Sequence, residues 1–228
     1  NRQFTLESNG DTSIVAGQNY VGGAPGGGTS RFSVMNATSG KWVAQMRSDN
    51  TGAHGLFVRA GNTASTYTAH FTGYDEANVH MSIDGLGRVT TPNQPMFDAA
   101  RPAASSASSN LTGWQATYVN IGNHFNASNG RFTAPVAGTY LFYGTGIKNG
   151  SSTTTMRYYL VKNSASGYLH GSRHLRLDGG NVNTYGDNAV MTWMVTLAAN
   201  DWVQAKIGAG TVYTATYEYT IFGGYLLG

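Results

Sequence analysis

Short runs of apolar residues, separated by clusters of Gly, Asn and Ser, recur throughout this chain of 228 residues. No window shows the sustained apolar repeat of about 3.6 residues that predicts an amphipathic helix. Side chains alternate along a strand, so Tyr140, Phe142 and Gly144 share one face of a predicted strand. Leu141 and Tyr143 share the other face. Apolar residues on both faces indicate a sandwich strand that also meets another subunit, and the whole pattern predicts an all-β protein.

The first ninety or so residues have a different pattern from the rest of the chain. Their candidate strands are short, polar and regularly spaced, as in all-β folds. Three of them are Tyr67–Phe71, Val79–Ile83 and Arg88–Thr90. Strands of this kind bury little surface in a monomer, whereas neighbouring chains in a trimer would supply partners. We therefore predict a smaller β-rich shaft or shoulder domain over residues 1–92 and a larger domain over residues 93–228.

The larger domain contains a spaced set of aromatic, Asn and Gly residues. Its members are Trp114, Asn120, Phe125, Phe132, Gly138, Tyr140 and Phe142, together with Phe222 and Gly224 near the end of the chain. The spacing resembles the signature of the C1q/TNF-like jelly-roll family, over roughly Pro92 to Gly228. Trp114 stands where that family usually has Phe, and Gly144 stands where a last aromatic is expected. The resemblance implies a jelly-roll sandwich that assembles as a homotrimer.

Two other segments resemble phrases of bacteriophage tail-fibre proteins, namely Phe4–Asp11 and Gly85–Pro92. In those proteins a β-rich shaft runs directly into a C1q-like head. A collagen stalk is not an alternative here, because no tract has Gly at every third position. The resemblance implies a receptor-binding protein in the virion, extracellular, whose N-terminal side joins the rest of the fibre.

The function implied by these resemblances is non-enzymatic adhesion. The trimeric head would recognise a receptor on the host-cell surface, either a glycan, a protein or another envelope component. Two alternatives stay open. The head could serve only to trimerise a fibre or decorate a particle, or the chain could be a C1q-like secreted or spore-surface protein of cellular origin.

Composition narrows the range of partners. Charged residues make up 11% of the chain, against about 25% in ordinary globular domains. The net charge is only +3 and the basic residues are scattered, apart from Arg173 and Arg176. Nucleic-acid binders usually show a concentrated basic stripe, so we expect no nucleic-acid partner. No stretch approaches the roughly 20 apolar residues of a membrane span, so we expect no membrane insertion.

Residues suited to catalysis are sparse. Cysteine is absent, which excludes disulfides and thiolate chemistry. Asp75 and Glu76 are the only adjacent acidic pair, and neighbours on a strand point to opposite faces, which does not suit a glycosidase dyad. No Gly-x-Ser-x-Gly elbow is present. We therefore expect that the protein is not an enzyme.

The best candidate for a receptor site is the segment Ser166–Tyr185. Its polar and aromatic residues are Tyr168, His170, Arg173, His174, Arg176, Asp178, Asn181, Asn183 and Tyr185. Tyr and Arg most often dominate binding contacts, and aromatic faces beside amides and carboxylates suit sugars. The alternative is an ordinary polar loop or a contact between subunits.

The sequence predicts no resident cofactor, although two metal sites stay open. Asp178–Asn183, with Asp187 nearby, offers oxygen ligands of the kind that calcium takes. His70 or His80 could meet its symmetry mates on a three-fold axis and hold an axial metal ion. The alternatives are a plain Asn- and Gly-rich turn and histidines with structural partners.

Overall fold

The computed structural model describes residues 58, 61–73, 77–103, 109–149, 156–164, 175–177, 185–213 and 218–228. By its internal contacts the chain divides into Asn1–Val58 and Arg59–Gly228, and every described strand belongs to the second unit. The regular structure of the described residues is entirely β-strand, which confirms the all-β prediction. Within this part of the chain, no helix is long and apolar enough to cross a membrane.

Three short antiparallel strands form a small sheet ahead of the larger fold. They are β1 (Tyr67–Thr72), β2 (Val79–Asp84) and β3 (Val89–Thr90), paired in that order. Their positions agree with three of the strands predicted from the sequence. The candidate strands that precede them lie outside the described residues. The shaft domain and its boundary at residues 92 and 93 therefore stay predictions.

The remaining ten strands form two five-stranded antiparallel sheets. The β8 sheet has the order β11 (Tyr185–Leu197), β8 (Gly138–Asn149), β13 (Ile221–Leu226), β4 (Met96–Ala100) and β5 (Ala116–Ile121). The β12 sheet has the order β10 (Leu175–Leu177), β9 (Met156–Lys162), β12 (Trp202–Ala209), β7 (Arg131–Thr133) and β6 (Phe125–Asn126). Most neighbouring strands in both sheets are not consecutive in sequence, as in a jelly roll; the exceptions are β4–β5, β6–β7 and β9–β10.

Aromatic side chains fill the space between the two sheets. Phe97 of β4 stacks on Phe132 of β7, with their ring centroids 5.1 Å apart. Phe132 also meets Phe142 of β8 edge to face at 5.6 Å. All three side chains are at most 2% exposed. Such contacts add to the hydrophobic gain from burying the rings, so this cluster is the main connection between the sheets.

Asn120 explains why the family signature contains an amide five residues before Phe125. Its side-chain Nδ2 donates to the Phe125 carbonyl at 2.9 Å, and its Oδ1 accepts from the Phe125 N–H at 3.0 Å. The amide therefore acts as the partner of Phe125 on the edge of β6 that does not face β7. The connecting turn uses positive φ angles at Gly122 (76°) and Asn123 (57°), residue types that tolerate them. This turn holds the Phe125 ring in the core.

Gly144 departs from the family pattern because another ring uses the space. A Cβ at Gly144 would lie 2.7 Å from Cε1 of Tyr158. Tyr158 is fully buried on β9 and stacks on Trp193 of β11 at 5.8 Å. An aromatic at position 144 would clash with this pair. The core therefore still has an aromatic ring at this place, but Tyr158 of the opposite sheet supplies it.

Replacing Phe132 by Ala tests the position of the core. The change removes a ring that is 0% exposed and contacts three other rings of the cluster. We expect a loss of about 3–5 kcal/mol in the free energy of unfolding, measured by urea denaturation. Val136→Ala, at a side chain that is 48% exposed, is the control and should change stability by less than about 0.5 kcal/mol. Equal stabilities of the two variants would contradict this placement of Phe132.

Candidate functional site

The structure describes only two parts of the predicted receptor segment. Arg176 lies in β10, where its backbone pairs with that of Arg157, and Tyr185 is the first residue of β11. The other predicted residues lie outside the described part of the chain: Tyr168, His170, Arg173, His174, Asp178, Asn181 and Asn183. The segment joins an edge strand of the β12 sheet to an edge strand of the β8 sheet. Its role as a receptor site stays a prediction.

A hydrogen-bond network fixes the C-terminal end of β9, from which the chain continues into this segment. Asn163 Nδ2 donates to Asp201 Oδ1 at 2.6 Å, and the Trp202 N–H donates to Asn163 Oδ1 at 2.8 Å. Asp201 Oδ2 lies 2.6 Å from Lys162 Nζ and accepts from the Ala198 N–H at 2.8 Å. The lysine hydrogen bond is the largest influence that lowers the pKa of Asp201 to about 2. The network fastens the end of β9 to the turn between β11 and β12.

A row of apolar residues crosses the outward face of the β8 sheet. Residues directly opposite one another in antiparallel strands share a face of the sheet. From β11 to β5 the register aligns Met194, Leu141, Tyr225, Met96 and Ile121. Met194 is 59% exposed, and Met96 and Tyr225 are also exposed. Leu141 and Ile121 are partly exposed, so apolar side chains reach solvent across the width of the sheet in the single chain.

Two further rows lie beside the first and extend this surface. The nearer row aligns Thr192, Tyr143, Gly223, Asp98 and Val119. The farther row aligns Val190, Thr145, Ile221, Ala100 and Ala116, with Val190 64% exposed. We refer to the three rows together as the apolar face. Asp98 is the only charged residue in these rows.

Asp98 and Tyr143 form a polar pair within the apolar face. The Tyr143 hydroxyl donates a hydrogen bond to the Asp98 carboxylate. Burial, followed by the neighbouring charge of Asp98, raises the pKa of Tyr143 to about 12. The Tyr143 ring lies over Gly223, where a Cβ would collide with it. In the part of the chain that the structure describes, Asp98 Oδ1 is buried without a hydrogen-bond partner, so the pair retains one unsatisfied acceptor.

Sequence reasoning predicted part of this surface. The alternation along β8 indicated that Leu141 and Tyr143 share a second apolar face, opposite Tyr140 and Phe142, and that this strand also meets another subunit. It did not single out Met96, Met194 or Tyr225. These residues could not be predicted because each strand alone shows only one or two exposed apolar positions. Only the strand register shows that these positions, from distant parts of the chain, lie side by side.

The structure tests neither of the two predicted metal sites. Among the described residues, no group of three or more His, Cys, Asp or Glu could hold a metal ion. His70 stacks on Tyr67, with ring centroids 4.3 Å apart. Asp178–Asn183 lies outside the described residues. Calcium binding and a metal ion on a three-fold axis both remain predictions.

The C1q domain family model matches residues 96–227, which is more than half of the chain. The chain therefore belongs to the C1q domain family. The match begins with β4 and ends just after β13, so it covers the two five-stranded sheets and leaves the small sheet outside it. C1q/TNF-like domains typically form trimers.

Two curated relatives carry the name "Complement C1q tumor necrosis factor-related protein 3". The protein from Homo sapiens and the one from Mus musculus are each 31% identical over 108 residues. The matched region is 47% of this chain and 41% of each relative, so the chain spans about two-fifths of their length. Nothing in the comparisons indicates a bacteriophage tail fibre.

Two solved structures have a similar fold. The globular domain of zebrafish complement 1qA protein is 19% identical, with a TM-score of 0.41, and covers 59% of this chain and 98% of that chain. Murine APRIL, crystallised at pH 5.0, is 14% identical, with a TM-score of 0.46, and covers 59% of this chain and 99% of that chain.

Asp201→Asn tests the network at the end of β9. Because folding lowers the pKa of Asp201, its carboxylate stabilises the fold above the unfolded pKa of about 3.8. This contribution is lost as the pH falls through the folded value of about 2. We therefore expect the urea midpoint of the variant to be lower than that of the wild type at mildly acidic pH, and the two to converge as the pH approaches about 2.

Lys162→Gln is the matching variant for this test. It removes the paired ammonium and leaves the carboxylate, so its stability should also fall and its pH dependence should weaken. A difference between wild type and Asp201→Asn that stays constant across this pH range would show that the charge of Asp201 does not stabilise the fold.

Proposed function

We propose that this chain is an extracellular, non-enzymatic C1q-type recognition module that assembles as a homotrimer through the apolar face. The row from Met194 to Ile121 is the observation that carries this proposal. Soluble monomers rarely expose contiguous apolar patches larger than a few hundred Å². A partner that covers the face therefore removes a surface that water would otherwise contact.

A further copy of the chain is the partner that best fits this face. Other domains of this fold typically form trimers, which supports a closed ring of three identical subunits. The chain also has no cysteine and therefore no disulfide to stabilise it. Burial between subunits stabilises the folded state by mass action, so oligomerisation provides the stability that disulfides supply elsewhere.

Recognition would fall to the segment Ser166–Tyr185. It connects the two sheets at their edges, and its arginines and tyrosines are residue types that dominate binding contacts. Three copies on one rigid trimer would raise the overall affinity, because the second and third contacts form within one complex. The curated relatives are human and mouse proteins. This supports a C1q-like protein of cellular origin as the setting.

A viral fibre is the second candidate. The segment Gly85–Pro92 resembles a tail-fibre phrase, and here it forms the turn after β2 and strand β3. Met96 begins the jelly roll only a few residues later. The direct run from a small sheet into the head favours this candidate, in which the trimeric head attaches a virion to its host. A purely structural head, which trimerises without binding a surface, is the remaining alternative.

The solution mass tests the trimer. Light scattering should give about three times the chain mass of 24.2 kDa for the wild type. Met194→Lys places a charge in the apolar face and should give mainly monomer, since an unpaired charge at an interface costs several kcal/mol. Leu86→Lys, at a side chain that is 59% exposed outside this face, should remain a trimer. A monomeric wild type would contradict the proposal.

Cell binding separates recognition from a structural role. The labelled trimer should bind some members of a panel of animal and bacterial cells in flow cytometry. The double variant Arg173→Ala/Arg176→Ala should keep its trimeric mass and lose most of this binding. Binding confined to bacteria would favour the fibre candidate, and binding to animal cells would favour the cellular one. A trimer that binds no cell would leave the structural role.

A further inference from the structure

The small sheet forms a half-open surface pocket of about 360 Å³ that lies outside the C1q match. Its lining residues come from the three strands and the adjoining turns, and they are Ala64, Tyr67, Ser82, Asp84, Arg88 and Thr90. We call it the Tyr67 pocket. Its volume is within the usual range for small-ligand sites, roughly 300–1,000 Å³, and its polar groups converge as such sites require.

Asp84 and Arg88 provide a fixed pair of opposite charges on one side of the pocket. Asp84 Oδ1 accepts from the N–H groups of Leu86 and Arg88, each at 2.9 Å, and Oδ2 accepts from Arg88 Nε at 2.6 Å. These hydrogen bonds, led by that of the Arg88 N–H, lower the pKa of Asp84. The side chain of Arg88 is 63% exposed, so its terminal nitrogens extend beyond the pair. The two formal charges cancel, which leaves the pocket neutral but rich in directed hydrogen-bonding groups.

Ser82 and Thr90 place two hydroxyls side by side on the floor of the pocket. They are directly opposite each other in β2 and β3, and their oxygens are 2.7 Å apart. Only one hydroxyl can donate to the other, so the second hydrogen and the remaining lone pairs are left for a ligand. The floor can therefore both donate and accept, which matches the hydroxyl groups of a sugar.

Tyr67 provides a flat apolar surface at the rim. One face of its ring stacks on His70, with the ring planes 29° apart. The side chain is nevertheless 52% exposed. A large aromatic ring that is held in place and still open to solvent can stack against the apolar face of a ligand, and it loses little conformational freedom on doing so.

We propose that the Tyr67 pocket binds one neutral pyranose unit of a surface glycan. The pyranose would lay its C–H face on Tyr67 and direct its hydroxyls to Asp84, Arg88 and the Ser82–Thr90 pair. The cancelled charges favour a neutral sugar over an anionic one. The Tyr67 pocket is a second site, separate from the segment Ser166–Tyr185. Only the surface setting of its ligand rests on the function proposed above, because the pocket is formed within one chain.

An array of neutral, sialylated and sulfated oligosaccharides, probed with the full chain, tests the ligand class. The best-bound neutral sugar is then titrated by calorimetry. Tyr67→Ala should weaken its binding about tenfold or more, because a contact that dominates binding is lost. Tyr67→Phe keeps the ring and should bind like the wild type. Phe71→Ala removes an equally exposed ring (54%) from the same strand, outside the pocket lining, and should also bind normally.

Three results would overturn the inference. They are a wild type that binds no sugar on the array, binding confined to acidic sugars, and an unchanged affinity in Tyr67→Ala. The Met194→Lys variant keeps this test separate from the trimer. Its affinity for the single free sugar should equal that of the wild type even when it is monomeric. A loss of affinity in Met194→Lys would show that the pocket needs a neighbouring chain, contrary to the inference.

Discussion

The contact between Phe97 and Phe132 is the interaction on which the rest of the fold depends. It joins β4 of one sheet to β7 of the other, and Phe142 and Phe222 pack against the same rings. β4, β7 and β13, which carry Phe97, Phe132 and Phe222, are far apart in sequence, so the cluster forms only when both sheets are in register. Its rings are almost completely buried, and burial of this kind dominates folding stability. The sheets take their relative position from it.

This cluster also determines what the other side of the β8 sheet presents. Along a strand, side chains alternate, so the register that turns Phe142 and Phe222 inward turns Leu141, Tyr143 and Tyr225 outward. A slip of one residue would exchange the two sets. The same strand register therefore determines both the packing of the core and the composition of the apolar face. Assembly through that face is coupled in this way to correct folding of the single chain.

Sequence alone could predict the strand at Tyr140–Phe142, the place of Asn120 in the family signature and the jelly-roll class. In these places local alternation and signature spacing agree with the final packing. It could not predict the row from Met194 to Ile121 or the Tyr67 pocket. Both arise from residues brought together by strand pairing, and no local pattern encodes that pairing. Gly144 shows the same limit, because its lack of a side chain makes sense only beside Tyr158 on the opposite sheet.

The polar pair in the apolar face bears on how specific the proposed assembly can be. A purely apolar surface tolerates sliding, since hydrophobic burial has no direction. Asp98 Oδ1 is buried and has no hydrogen-bond partner among the described residues, while Tyr143 already donates to the same carboxylate. Assembly over this face would also cover the charge of Asp98, and covering a charge that has no partner costs several kcal/mol. Subunit arrangements that bring a donor to its carboxylate are therefore favoured over those that do not. Within the proposed trimer, Met194 and its row would supply the affinity, and Asp98 would select the register in which three chains meet.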